Sequence, residues 1–159
     1  MVVGAGAAGI EVAFCVHARL QGMDLNPKIT LVNAGKSLLP EKGAKVGARI
    51  EHLASERGIA VLHGEKVAAL TAGSVVLESG IELPAARCLW VTGAKARPVV
   101  QDSGLAHQKG YLRVGETLQA LEHPELFGAG DCVHLEHAPW VPKAGVYAVR
   151  AGPILVYNL

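Results

Sequence analysis

The most constraining feature is a glycine pattern at the very start, Gly4-Ala5-Gly6-Ala7-Ala8-Gly9, in "MVVGAGAAGIEVAF". Glycines at this spacing let a chain leave a strand in a tight turn and enter a helix packed closely on that strand. Only Met1 to Val3 precede the loop, enough for the end of a strand. After it, Ile10, Ala13, Phe14, Val16 and Leu20 recur at helical spacing, which predicts a helix over 10–21 with Gly22 just beyond its end.

The same reading continues downstream. "KITLVN" is a short β-branched run that predicts a strand ending at Asn33. Pro40 opens a predicted helix over 41–57 with an apolar stripe of Val46, Ile50, Leu53 and Ala54, and Gly58 stops it. "IAVLHG" is the next strand. "KVAAL", "SVVLE" and "IELP" form an antiparallel meander that leads into a last strand, Cys88 to Val91. Beyond it, 94–110 is loop-like and Tyr111 to Val114 is strand-like. "ELFGAGD" is a short strand ending on Gly130-Asp131, and a helix after Pro142 should kink or break at Gly152-Pro153. Strand, glycine loop, helix, strand, helix, strand is a βαβαβ order. It predicts an α/β fold with a Rossmann-like parallel sheet, its helices, and the inserted meander.

Composition narrows the function. In 159 residues the formal net charge is +1, so there is no basic excess to hold a nucleic acid. No run is long and apolar enough for a membrane span, and no signal peptide is evident. Cys15, Cys88 and Cys132 are far apart, with no C-x-x-C, and read as structural thiols of a cytoplasmic protein. Cys132, His134, Glu136 and His137 match no standard metal spacing. His17, His52, His63, His107 and His123 show no sequence partners and read as surface residues.

A glycine loop opening a helix suits a dinucleotide pyrophosphate. Gly4 permits the turn, Gly6 the close approach of phosphates, and Gly9 the helix–sheet contact, while the helix N-terminus favours the anion. The plainer reading is a strand-to-helix turn. The acidic residue that commonly ends the second strand of such a site is replaced by Asn33, followed by Ala34, Gly35 and Lys36. Asparagine can bond a ribose hydroxyl without repelling a 2′-phosphate, and Lys36 would attract one unless it is simply a solvated loop lysine. Weak discrimination between NADH and NADPH is therefore expected.

A second block, "LFGAGDCVHLEHAPWVPKAGVYAVRAG", is more specific. With "LWVTGAKARP" upstream and the meander between, the chain resembles the pyridine nucleotide-disulfide oxidoreductase superfamily. These are FAD- and NAD(P)-dependent flavoproteins, type II NADH dehydrogenases among them. The wording "HPELFGAGDC…PKAGVYAVRAGPIL" is most similar to the flavoprotein module associated with selenide, water dikinase. The resemblance covers essentially Val2 to Leu159. It implies that the glycine loop is the second of two, serving NAD(P), and that the first, FAD-binding segment is absent, with the chain beginning inside a strand. The domains expected are 1–97, NAD(P)-binding, and 98–159, an incomplete return segment of an FAD domain.

Residue by residue, the resemblance implies that Gly4, Gly6, Ala7, Ala8 and Gly9 hold the pyrophosphate. Asn33 would lie at the ribose. Glu11 would lie near the nicotinamide, unless it is simply a polar residue suited to the first helical turn. Thr92 and Gly93 would face the nicotinamide nucleotide. Gly130 and Asp131 would meet the flavin ribityl or phosphate region, and Lys143, Ala144, Gly145 and Val146 would bring a helix N-terminus to the flavin. The function implied is hydride transfer from NAD(P)H to FAD and onward to a quinone, a selenium compound or a protein, with the full-length parent a homodimer. No catalytic acid or nucleophile is needed. The alternative is a nicotinamide-dinucleotide-binding module without activity of its own. A single-Rossmann dehydrogenase would need a catalytic His or a Tyr-x-x-x-Lys, and none appears.

Overall fold

The opening strand β1 is two residues long, Val2–Val3, and both side chains are buried. A computed structural model describes all residues, Met1–Leu159, in two compact units, Met1–Thr92 and Gly93–Leu159. In the first unit, β1 is followed by α1 (Ala7–Gln21), β2 (Thr30–Asn33), α2 (Ala44–Glu56) and β3 (Ala60–His63). The meander is β4 (Val67–Leu70), β5 (Ser74–Leu77) and β6 (Glu82–Pro84), and β7 (Leu89–Trp90) closes the unit. The main sheet runs β3-β2-β1-β7 and is parallel throughout, as the βαβαβ order predicts.

Alternation on β2 explains why this sheet needs both covers. Leu31 packs with Ile10 and Ala13 of α1 and Ala54 of α2. Its neighbour Val32 packs instead with Val75 and Leu77 of the antiparallel meander. Successive strand residues point to opposite faces, so the meander does for one face what the helices do for the other.

In the first unit, both helices depart from what the sequence predicts. Helix α1 begins at Ala7 rather than 10, because its first turn is exposed alanine and carries no apolar period. The helix expected over 41–57 is two pieces: a 3₁₀ turn, Pro40–Lys42, and then α2. Between them Gly43 has φ +91°, a conformation that ends any helix. Val46 is exposed, and the inward face of α2 is led by Gly47 and Ala54. Gly47 lies against the loop after β2, where a Cβ would come 2.5 Å from the Leu38 carbonyl oxygen.

The second unit contains α3 (Val99–Asp102), β8 (His107–Gln108), β9 (Tyr111–Val114), β10 (Gln119–Ala120), β11 (His123–Phe127), β12 (Val133–Leu135) and α4 (Gly145–Asn158). Strand β9 is central, antiparallel to β8 and β10 and parallel to β12. Leu112, Val114, Leu118, Ala120 and Val133 are its buried core. The elements α3, β8 and β10 are too short to show a period. The strand expected to end on Gly130-Asp131 stops at Phe127, and Gly130–Cys132 form a 3₁₀ turn with Gly130 at φ +79°. Helix α4 starts at Gly145 and runs through Pro153 without a break. Proline removes one helical hydrogen bond, and the acceptor left over belongs to Val149, which is exposed. No helix is long and apolar enough to cross a membrane.

Candidate functional site

The glycine loop is a close contact between backbones. Gly4 has φ +105°, and a Cβ there would sit 2.5 Å from the Val91 carbonyl oxygen. A Cβ on Gly9 would fall 1.7 Å from the Gly4 carbonyl oxygen. These two positions are closed by the fold itself. Gly6 is different: it is exposed, precedes α1 in extended conformation, and a Cβ would meet nothing within 4 Å. No side chain caps α1, and Ile10 is the first amide to bond back, to Gly6. The N–H groups of Ala7, Ala8 and Gly9 are thus left for an external acceptor, and the positive end of the helix dipole favours an anion.

Beside the loop is an open cleft of about 430 Å³, lined by Ala5, Gly6, Asn33, Lys36, Ser37 and Glu41 among others. Asn33 ends β2 and is buried. Its Oδ1 accepts the Gly35 N–H at 3.1 Å, and its Nδ2 lies 3.0 Å from both the Ser37 carbonyl oxygen and His63 Nδ1. Both amide hydrogens are committed, and one Oδ1 lone pair remains. Lys36 is exposed and enters none of the chain's ion pairs.

Thr92 accepts a hydrogen bond from the Trp90 indole at 2.7 Å, and both line a second cleft with Gly4. Gly93, the next residue, begins the second unit, ahead of the boundary expected at 97. Glu11 is exposed on α1. With α1 beginning at Ala7, Glu11 lies beyond the first turn, so the helix dipole does little to explain it.

The second unit groups the remaining predicted residues. Asp131 is exposed in its 3₁₀ turn, and Gly130 faces α4, where a Cβ would lie 3.3 Å from Ala148 Cβ. Ala144 precedes α4 in extended conformation without a side-chain cap, so the N–H groups of Gly145 and Val146 are free. Lys143 turns inward: its ammonium donates to the Val133 carbonyl and sits 4.8 Å from the centre of the Tyr111 ring. It fastens the approach to α4 rather than presenting a charge. Asp131 also lines a cleft of about 280 Å³ with Lys95, Arg97, Tyr111 and Cys132. Those two cations carry no sequence signal, because they follow the strand-end Thr92-Gly93 in a segment with no periodicity.

Arg113 on β9 grips Glu136 with two parallel bonds, Nε to Oε1 at 2.7 Å and NH2 to Oε2 at 2.9 Å. This hydrogen bonding, from Arg113, holds the Glu136 carboxyl below the usual carboxylate range. A lowered folded pKa stabilises the chain above the unfolded carboxylate value, and that stabilisation is lost as pH falls through the folded one. Glu136→Gln should therefore flatten the acid side of a urea-midpoint profile below about pH 4.3. Parallel profiles for the two proteins would contradict the linkage.

The histidines are less idle than their sequence suggests. His17 is 3% exposed and its Nδ1 has no partner. Its spacing from Ile10 and Ala13 puts it on the inward face of α1, a signal available in the sequence. His52 pairs with Glu56, His123 with Glu125, and His63 with Glu51, and His107 accepts the Gly110 N–H. His134 also lies 3.7 Å from Glu136. Cys15, Cys88 and Cys132 are free thiols. No group of three or more His, Cys, Asp or Glu is arranged to hold a metal.

The family model described as pyridine nucleotide-disulphide oxidoreductase matches residues 1–152. The chain belongs to this family. An NADH dehydrogenase-like protein of Mycobacterium tuberculosis is 31% identical over 137 residues, covering 82% of this chain and 34% of that protein. The mitochondrial external alternative NAD(P)H-ubiquinone oxidoreductase B1 of Arabidopsis thaliana is 26% identical over 151 residues, covering 85% and 26%. Among solved structures, the covalent putidaredoxin reductase–putidaredoxin complex matches with a TM-score of 0.76 at 22% identity, covering 99% of this chain and 39% of that one. That likeness shows a shared fold. The chain spans between about a quarter and just over a third of the length of the curated relatives it matches.

Proposed function

We propose that the chain carries the NAD(P)-binding domain and the flavin-contacting return segment of an FAD-dependent NAD(P)H oxidoreductase. The observation that carries this reading is the loop Gly4–Gly9. Two of its glycines are closed by the fold, one is open to solvent, and three helix amides await an acceptor, in a chain of this family. Gly4, Gly6, Ala7, Ala8 and Gly9 would hold the pyrophosphate, Asn33 the ribose, and Glu11, Thr92 and Gly93 the nicotinamide side. The return segment would meet FAD through Gly130, Asp131 and Lys143 to Val146. When bound, FAD supplies acceptance of hydride and its onward release as electrons. The chain's own part is to bind and orient. The free amides at the start of α4 favour negative charge, which suits the electron-rich edge of a reduced flavin. No side chain has to donate or accept a proton in the hydride step.

For the acceptor, the names of the relatives favour a quinone or a small redox protein, and the likeness of the "GAGDC" block to the selenide, water dikinase flavoprotein adds a selenium compound. We assign the protein to the cytoplasm, in a homodimeric parent. A second reading is a nicotinamide-dinucleotide-binding module without independent activity, for which the glycine loop and its free helix amides suffice. Titration of the purified chain with NADH and NADPH tests the shared part. Both should bind, with a preference below about a hundredfold because Asn33 carries no charge to repel a 2′-phosphate. Binding of neither coenzyme overturns both readings. Flavin absorbance decides between them: a yellow protein that oxidises NADH sinks the second, and a colourless one supports it.

A further inference from the structure

We infer that His63, with Glu51 behind it, is a positioning residue that sets which coenzyme the ribose cleft prefers. This deepens the proposed NAD(P) reading and rests on it. His63 ends β3 and stands directly opposite Asn33 in the parallel register. The Asn33 amide has its orientation dictated from two sides. Turned over, it would set Oδ1 against the Ser37 carbonyl oxygen and Nδ2 against the Gly35 N–H, two like-on-like contacts. In the observed sense Nδ2 donates to His63 Nδ1 at 3.0 Å. His63 Nδ1 is then the acceptor, so its ring proton sits on Nε2, which faces Glu51 Oε1 at 3.3 Å. A chain of bonds thus runs from Glu51 on α2, through His63, to the only uncommitted lone pair of Asn33.

The consequence falls unequally on the two coenzymes. A ribose 2′-hydroxyl can donate to that lone pair, whereas an ionised 2′-phosphate offers it no proton. Lys36, exposed in the same cleft, favours the phosphate. His63 therefore supports the NADH side of a balanced pair of effects and leaves the NADPH side alone.

Titrations of the full chain with NADH and with NADPH decide the matter, for wild type, His63→Leu and His63→Gln, with a melting curve for each. His63→Leu should weaken NADH binding about fivefold, the worth of one neutral hydrogen bond, and NADPH binding less than about twofold. His63→Gln offers Asn33 a carbonyl acceptor and should restore the wild-type ratio. A folded His63→Leu with an unchanged NADH-to-NADPH ratio overturns the role of His63, as does a glutamine variant that folds and fails to restore it. Should the leucine variant not fold, the ring-nitrogen NMR shifts of wild-type His63 serve instead: a proton on Nε2 agrees, and one on Nδ1 overturns the assignment. Wild-type protein that binds neither coenzyme would mark the failure of the underlying reading instead.

Discussion

Replacing Gly9 by alanine should lower the melting temperature by about 6–12 °C and abolish measurable binding of both coenzymes. The added Cβ would lie 1.7 Å from the Gly4 carbonyl oxygen, which is backbone and cannot swing aside. Either α1 moves off β1 or the loop opens. Moving α1 disturbs Ile10 and Ala13, which pack with Val2 and Leu31 in the core of the first unit. Backbone clashes and core disruption of this kind cost about 3 kcal/mol or more. Gly6→Ala is the internal control. Its Cβ would touch nothing within 4 Å, so the melting temperature should stay within about 2 °C. Only the approach of a bound phosphate would suffer, and NADH binding should weaken about tenfold or more as the loop loses its close contact. Equal melting temperatures for the two variants would show that the Gly4–Gly9 contact does not hold the fold.

Asn33→Asp should cost NADPH at least about tenfold in affinity while leaving NADH within about threefold, since two like charges near a half-solvated cleft repel by more than 1 kcal/mol. The new carboxylate can still accept the Gly35 N–H. It can no longer donate to Ser37, whose exposed backbone can turn its carbonyl to water. The Gly35 N–H would then donate to a charged acceptor, a stronger bond than the present one. The folding cost is thereby partly offset, and the repulsion of the 2′-phosphate remains. Parallel losses for the two coenzymes would mean that Asn33 serves only to shape the loop.

What could be read in advance follows a physical line. Elements with a repeated pattern were legible. The β-branched run around Leu31, the helical spacing of Ile10 and Ala13, and the turn-separated runs of the meander all carry their burial in local order. Elements made by a single residue's geometry were not. Gly43 splits a helix that periodicity joins, and α4 passes through a proline that ordinarily ends one. Two-residue strands exist only through their neighbours: β8 lies against β9, and β10 is held between β9 and β11. The site divides in the same way. The glycine loop is local and was visible. The meeting of Asn33 with His63 joins residues 30 apart and depends on the register of two parallel strands, which no local pattern encodes.

The loop after β2 is pinned at both ends. Asn33 holds its beginning through Gly35 and Ser37, and its end is held by Leu38, 1% exposed, against the bare backbone of Gly47. Between these anchors Ala34, Lys36 and Ser37 point outward, with no core to support. Sequence change at these three positions carries almost no folding penalty, so the chain holds in effect an exchangeable cassette facing the glycine loop. On the proposed reading, the place to redirect coenzyme preference without disturbing the sheet beneath is those three side chains.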